Sequence, residues 1–179
     1  MPVLISLLRG VNVGGHHKVK MEDLRALYES LGLEEVRTHI NSGNVLFRTA
    51  ERDLTRLCKR IEDAIEGACG FRSNVILRTP ADLKRAMARN PFAERADVEP
   101  HKVAIHFLAA APSAAALEQM RAIEIEPEEL HIHGRELYIY YALGMARPKL
   151  KLPQVEKALR TTGTSRNLNT VRKLLEMAG

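Results

Sequence analysis

Residues 3–15 read VLISLLRGVNVGG, and this stretch decides how the first part of the chain folds. Val3–Leu8 is a short, almost continuously apolar run, which is typical of a buried β-strand. Arg9–Lys20 is polar and rich in glycine, which indicates a loop. Apolar residues then recur at helical spacing from Met21 to Leu31, so the loop connects the strand to a helix. This order predicts the start of a βαβ unit.

The segments that follow extend this unit. Val36–Ile40 alternates apolar and polar residues, and Val45–Arg48 returns after a polar turn, which together predict a hairpin. Leu54–Cys69 carries an apolar stripe at helical spacing, and Val75–Leu77 predicts another strand. The stripe is expected to face the sheet through Leu54, Cys58, Ile61 and Ile65. The order β-α-β-β-α-β is the ferredoxin-like pattern, with strand order 4-1-3-2.

The rest of the chain predicts a second, smaller α+β subdomain of order βαββαα. Residues 94–101 are polar and contain proline, so we interpret them as a linker between a ferredoxin-like subdomain, residues 1–93, and the second subdomain, residues 102–179. The second subdomain is expected to have strands at Val103–Leu108, Leu130–His133 and Glu136–Tyr141, a short helix after Ser113, and helices at Pro153–Leu159 and Leu168–Met177. The predicted fold class is therefore α+β.

Composition places the chain among globular proteins. It has 179 residues, of which 45% are hydrophobic and 27% charged, which excludes disordered and fibrous classes. No run approaches the roughly 20 apolar residues that a membrane span needs, and the apolar start lacks the basic region and cleavage site of a signal peptide. Cys58 and Cys69 are eleven residues apart in one predicted helix, too far for a disulfide. We therefore expect two free thiols in a cytoplasmic protein without a membrane partner.

The loop Arg9–Lys20 and the turn Asn41–Asn44 are expected to form a site for an anion. In a 4-1-3-2 sheet the first strand ends at the edge where the hairpin turns, so loop and turn lie side by side. Backbone N–H groups beside glycines and at a helix N-terminus favour phosphate. The candidate ligand-binding residues are Arg9, Gly10, Asn12, Gly14, Gly15, Lys18, Asn41, Ser42, Gly43 and Asn44. The alternative is that the glycines only shape a tight turn and the charges keep it solvated.

A second basic cluster lies near the end of the chain. The net charge is +5, and the segment after Gly144 holds eight basic residues against two acidic ones. Such clusters favour phosphate-bearing partners, although a solvated basic face is the commoner explanation. The candidate residues here are Arg147, Lys149, Arg166, Asn167 and Asn169. Asn167 fits the role of an ordinary helix N-cap equally well.

Signals for catalysis or metal binding are weak. His131 and His133 share one face of a strand, but no third ligand accompanies them, so no metal site is predicted. His16 and His17 lie in the polar loop, where solvation explains them as well as contact with a phosphate. The sequence contains no nucleophile elbow, no HExxH and no CxxC, and it implies no cofactor. Whether the protein is an enzyme stays open, because sites can assemble from dispersed residues.

Three stretches resemble one known family. Leu7–Gly15, Asn41–Val45 and Arg166–Val171 are similar to the hallmark motifs of the domain of unknown function 1697 family, an uncharacterised bacterial family. The resemblance implies a ferredoxin-like first part, a second α+β part and no established reaction. Leu168 stands where family members often carry tryptophan, and Pro148 stands where serine is common.

Three functional interpretations follow from these observations. The first is a phosphate- or anion-binding module whose partner is nucleic acid. The second is an enzyme or sensor for a small phosphorylated or carboxylated metabolite, bound between the subdomains. The third is a protein-interaction module. The oligomeric state is not indicated by the sequence.

Overall fold

The computed structural model describes all 179 residues. The chain forms two compact units, Met1–Lys84 together with Lys173–Gly179, and Arg85–Arg172. Strands and helices both occur throughout, in two four-stranded antiparallel sheets, so the predicted α+β class is confirmed. None of the helices combines the length and the apolar character that crossing a bilayer requires.

The first unit has the predicted ferredoxin-like order. Its elements are β1 (Val3–Leu8), α1 (Met21–Ser30), β2 (Glu34–His39), β3 (Asn44–Arg48), α2 (Leu54–Cys69) and β4 (Val75–Arg78). The strands lie in the order β2-β3-β1-β4, and all neighbours are antiparallel. This is the 4-1-3-2 order, so the topology that the sequence predicted for this part is confirmed.

Both helices of this unit pack on one face of the sheet. Leu57, Ile61 and Ile65 of α2 are buried with alternate residues of the strands. Cys58 is half-buried against the same core. Leu54, predicted to face the sheet, is instead 38% exposed at the first position of the helix.

The remaining strands form a second sheet, and helices lie before, between and after them in the chain. In chain order, the remaining elements are α3 (Pro80–Ala88), a 3₁₀ turn (Pro100–Lys102), β5 (Val103–Leu108), α4 (Ala114–Met120), β6 (Glu129–His133), β7 (Glu136–Tyr140), α5 (Leu152–Leu159), β8 (Gly163–Asn167) and α6 (Leu168–Ala178). The strand order is β6-β7-β5-β8. The core of this sheet forms around Ala104, Leu108, Leu137 and Ile139, against Val155 and Leu159 of α5.

The strand β8 corrects the predicted βαββαα order. Gly163-Thr164-Ser165-Arg166-Asn167 contains no large apolar residue, so hydrophobic periodicity could not indicate a strand there. It pairs antiparallel with β5 over its full length. The second sheet is therefore built from β-α-β-β-α-β as well and has the same 4-1-3-2 order as the first.

The two sheets share one cross-strand pair at equivalent positions. Arg78 on β4 pairs with Ile5, and Arg166 on β8 pairs with Ile105. Both arginines are buried, at 1% and 6% exposure. The structure thus contains one topology twice, with an arginine and an isoleucine at equivalent places, although the two halves show no continuous similarity in sequence.

Candidate functional site

Asn12 joins the loop after β1 to the turn between β2 and β3. Its side-chain amide donates to the backbone oxygen of Asn41 at 2.8 Å and to that of Val19 at 2.9 Å. Its side-chain oxygen accepts from the Val19 N–H at 2.9 Å. The prediction that loop and turn lie side by side is therefore confirmed, and Asn12 uses its amide to hold them together.

The loop is further closed by contacts among its own residues. The Asn12 N–H donates to the His17 oxygen at 3.1 Å, and the His17 ring stacks on Phe71 with centroids 4.5 Å apart. His17 Nδ1 also lies 3.2 Å from the Gly10 oxygen. His17 therefore shapes the loop, which gives it a structural role that the sequence did not indicate.

The turn is fixed by Gly43 and Asn44. Gly43 has φ of 77°, and a Cβ there would lie 2.8 Å from the Leu8 Cβ, so only glycine fits. Asn44 is fully buried, and its amide donates to the His39 oxygen at 3.0 Å. These two members of the predicted site hold the turn in shape.

A groove of about 870 Å³ opens between the loop and the helices α1 and α2. Its polar rim and its apolar floor come from different elements. The rim consists of Asn12, Gly15, Lys18, Lys20, Asp23 and Asn41, and the floor of Val19, Leu24, Leu27, Ala68 and Cys69. A volume of this size is typical of small-molecule sites, which are mostly apolar with a few polar groups.

The charged groups at the rim of the groove are two lysines and one carboxylate, beside the N-terminus of α1. Lys18 and Lys20 are exposed, and Lys20 is the N-cap of α1 but forms no capping hydrogen bond with its side chain. The first turn of α1 adds its free N–H groups and the positive end of its dipole, and it also carries the carboxylates of Glu22 and Asp23. Asp23 is the one carboxylate of the lining. Burial, followed by the nearby Asp23 charge, raises the pKa of Cys69, so this thiol stays protonated at neutral pH.

Only part of the first predicted cluster lines the groove. Asn12, Gly15, Lys18 and Asn41 do so. Arg9 and Ser42 are half-buried at the same edge of the sheet, outside the lining. Gly10 and Gly14 lie in the loop with positive φ and are exposed. The groove also includes Asp23 and the apolar floor, which the sequence did not indicate. A floor shared by two helices forms only when they pack together.

The second predicted cluster is not a single surface feature. Arg147 and Lys149 are exposed in the loop between β7 and α5. The buried carboxylate of Glu128 accepts from the backbone N–H groups of Lys149 and Leu150, at 3.4 and 3.2 Å, and so holds the end of this loop.

The other three members of that cluster have local structural roles. Arg166 lies in β8 rather than at a helix start, and it donates to Thr164 Oγ1 at 2.7 Å. Burial lowers the pKa of Arg166 to about 10, which still leaves it charged at neutral pH. Asn167 caps α6 by accepting from the Thr170 N–H at 2.8 Å, the alternative that the sequence had left open. Asn169 accepts from Arg172 at 3.1 Å.

The two histidines of β6 each contact another side chain. The His131 ring lies edge-on to Phe92 at 5.3 Å, and His133 Nδ1 lies 3.4 Å from Arg89. Nowhere in the chain do three or more His, Cys, Asp or Glu side chains converge in a way that could hold a metal ion.

Comparison with known proteins agrees with this architecture. The conserved bacterial protein SP0830 of Streptococcus pneumoniae superposes with a TM-score of 0.69 over 99% of this chain and 98% of its own, at 22% identity. At that identity the likeness shows the fold alone. No protein of curated function matches the sequence.

The family can be assigned from the sequence itself. A family model described as protein of unknown function, DUF1697, matches residues 1–138, which include the loop, the turn and both helices of the groove. That match covers most of the chain, and the protein therefore belongs to the DUF1697 family.

Proposed function

We propose that the groove of the first unit binds a small anionic ligand, phosphorylated or carboxylated, that also has an apolar part. The observation that carries this proposal is the combination in one 870 Å³ groove of two lysines, a helix N-terminus and an apolar floor. The lysines and the α1 N–H groups contact the anion. Leu24 and Leu27 contact the apolar part.

The remaining rim residues divide into those that shape the groove and those that contact the ligand. The Asn12 amide already donates to the backbone oxygens of Asn41 and Val19, so it holds the shape of the groove and does not contact the ligand. The side chain of Asn41 is exposed at the rim and is a donor for the ligand. Asp23 accepts from a hydroxyl or amino group of the ligand, which favours a polar metabolite over a simple inorganic anion.

A nucleic-acid polymer fits the first unit less well. RNA-binding sheets of this topology stack bases on aromatic side chains of an exposed sheet face. Here the face away from α1 and α2 carries Ile5, Leu7 and Leu46, which are aliphatic and offer no ring on which a base could stack. Phe47 lies on the other face, edge-on to Tyr28 with centroids 5.6 Å apart. Neither face can therefore serve as a stacking platform.

Thermal unfolding with a panel of ligands tests the proposal. The panel contains inorganic phosphate, nucleoside mono- and triphosphates, sugar phosphates, small carboxylates and a short oligonucleotide. A ligand at 100 times its Kd adds about 2.7 kcal/mol, which raises the Tm of a chain of this size by about 5 °C or more. We expect such a shift with at least one small phosphate or carboxylate.

A matched pair of variants locates the site. Lys18→Ala combined with Lys20→Ala should weaken binding about tenfold or more, since each lost charged contact costs on the order of 1–2 kcal/mol. Lys84→Ala in combination with Lys59→Ala removes the same charge from exposed positions outside the groove and should leave binding unchanged. Equal binding by both double variants, or a shift only with the oligonucleotide, would contradict the small-ligand proposal.

A further inference from the structure

The second unit contains a cluster of three polar side chains beneath its sheet that is separate from the groove. His106 on β5 is 3% exposed, in a strand that is otherwise apolar. Its Nδ1 lies 2.7 Å from Ser165 Oγ on β8, and its Nε2 lies 2.9 Å from Glu156 Oε1 on α5. The imidazole therefore bridges a hydroxyl and a buried carboxylate.

The hydrogen bonds assign the proton of a neutral His106 ring to Nε2. Glu156 Oε1 accepts from the Gly163 N–H at 3.1 Å as well as lying against His106 Nε2, which fits an ionised carboxylate. An ionised carboxylate only accepts, so Nε2 donates to it. Nδ1 of the neutral ring is then the acceptor, and the Ser165 hydroxyl donates to it. This is the arrangement of a base that is directed at a hydroxyl and oriented by a carboxylate.

The three residues differ in their exposure. His106 and Glu156 are buried, whereas Ser165 is half-exposed. A buried base beside a partly exposed hydroxyl is the order that nucleophilic catalysis requires, because the hydroxyl must reach a substrate while the base stays oriented.

The ladder between β5 and β8 places a backbone donor next to the hydroxyl. The N–H of Leu108 donates to Arg135 on the β7 side, and that of Ala109 to Thr162 on the β8 side. Backbone groups alternate sides along a strand, so His106, two residues before Leu108, also directs its N–H toward β7. His106 and Ser165 are therefore a non-hydrogen-bonded pair of the β5–β8 ladder.

It follows that the Ser165 N–H points away from β5. Gly163, two residues earlier on β8, shows the same direction, since its N–H donates to Glu156. β8 is the last strand of the sheet, so this side of it is an edge. The edge carries the Ser165 N–H beside the Ser165 hydroxyl, and a nucleophile's own N–H is one of the donors that stabilises an oxyanion in serine hydrolases.

We propose that Ser165 is a nucleophile for acyl transfer, with His106 as its general base, Glu156 as the residue that positions His106, and small activated esters or thioesters as substrates. The Ser165 oxygen attacks the carbonyl carbon, and its proton passes to His106 Nδ1. The oxyanion accepts a hydrogen bond from the Ser165 N–H. The carbon–oxygen or carbon–sulfur bond of the leaving group then breaks, and His106 returns the proton to it. Water, deprotonated by the same base, releases the acid from Ser165.

Labelling with a fluorophosphonate tests this site. The reagent forms a bond between Ser165 Oγ and phosphorus, fluoride leaves, and the hydroxyl proton passes to His106. Peptide mass spectrometry of the full-length protein should find the label on Ser165.

Three variants and one control distinguish the roles of the three residues. Ser165→Ala should abolish labelling, and His106→Gln should slow it by about 100-fold, the contribution of a general base. Glu156→Gln should slow labelling and change its pH dependence, which loss of packing alone would not do. Ser30→Ala removes an exposed serine from α1 and should label like the wild type.

Circular dichroism shows which variants are folded, and labelling of the wild type tests the proposal even if every variant unfolds. A folded wild type that carries no label on Ser165 overturns the proposal. Equal labelling rates for the wild type and a folded His106→Gln variant overturn it as well.

Discussion

The side-chain amide of Asn12 lies 2.8 Å from the backbone oxygen of Asn41, and this contact fixes the distance between the two polar segments of the first unit. The acceptor is a backbone atom, so the side chain of Asn41 has no part in it. Asn12 also has φ of 55°, in the left-handed region that asparagine tolerates better than most residues. One residue thus supplies both the hydrogen bonds and the backbone conformation that the junction needs.

The first prediction compares these two asparagines. Asn12→Ala removes three hydrogen bonds and places alanine at positive φ, so we expect it to lower the free energy of unfolding by about 2 kcal/mol or more. Asn41→Ala keeps the backbone acceptor and should cost about 0.5 kcal/mol or less, as exposed positions do. Urea denaturation measures both. Similar losses for the two variants would show that Asn12 does not hold the junction.

The second prediction concerns Gly163. A Cβ at this position would lie 2.5 Å from the Phe107 oxygen and 2.6 Å from His106 Nε2. Gly163→Ala must therefore displace β8 or break the contact between His106 and Glu156, and we expect a loss of about 2 kcal/mol or more, as for other overpacked sites. The measurement is the midpoint of urea unfolding.

Gly67 provides the control for Gly163. It lies within α2, and a Cβ there would meet no atom within 4 Å. Because alanine favours a helix over glycine, Gly67→Ala should raise stability by about 0.5–1 kcal/mol. We therefore expect Gly163→Ala to lower the free energy of unfolding and Gly67→Ala to raise it. A Gly67→Ala variant that is also destabilised would show that crowding around the added Cβ does not explain the loss at Gly163.

The third prediction concerns the two thiols. Cys58 and Cys69 are free, and burial raises the pKa of Cys58 to about 11. Because the thiolate is the reactive form, both should react slowly with a thiol reagent at pH 8, and Cys58 more slowly than Cys69. Reaction in denaturant should count two thiols.

The same assay reports on the groove. Cys69 lines the groove, and Cys58 does not. A ligand that raises the Tm should therefore protect Cys69 from alkylation while leaving the rate at Cys58 much less affected. Protection of neither thiol by such a ligand would place its binding elsewhere.

The fourth prediction concerns Arg72, which contacts three carboxylates near the end of α2. Its guanidinium lies 2.9 Å from Glu62, 3.1 Å from Asp63 and 2.7 Å from Glu66. The hydrogen bonds from Lys59 and Arg72 hold the pKa of Asp63 below its ordinary value. The stabilisation that these hydrogen bonds provide is therefore fully present above about pH 4, the ordinary pKa of an aspartate. It is lost as the pH falls through the lower pKa that Asp63 has in the folded protein.

Arg72→Ala should accordingly lower the Tm at pH 7, and the difference from the wild type should shrink below about pH 4. The control is Arg25→Ala, which removes a single exposed pair with Glu29 at 3.8 Å and should have little effect at either pH. A Tm difference for Arg72→Ala that is independent of pH would show that the carboxylates are not its cause.

Much of the first unit could be predicted from the sequence because its signals are local. The apolar run Val3–Leu8, the stripe of Leu54–Cys69 and the turn at Asn41–Asn44 each indicate their own secondary structure through periodicity or turn chemistry. The 4-1-3-2 order then follows from the order of the elements, and it places the loop beside the turn.

The tertiary structure decided what depends on contacts between distant segments. β8 is a polar strand that exists because β5 offers it a backbone ladder, and no periodicity in Gly163–Asn167 could show this. The groove floor requires α1 and α2 to meet, and the contact of His106 with Glu156 and Ser165 joins residues 50 and 59 positions apart. Sequence patterns report the environment of one segment at a time, whereas these features are set by which segments the folded chain brings together.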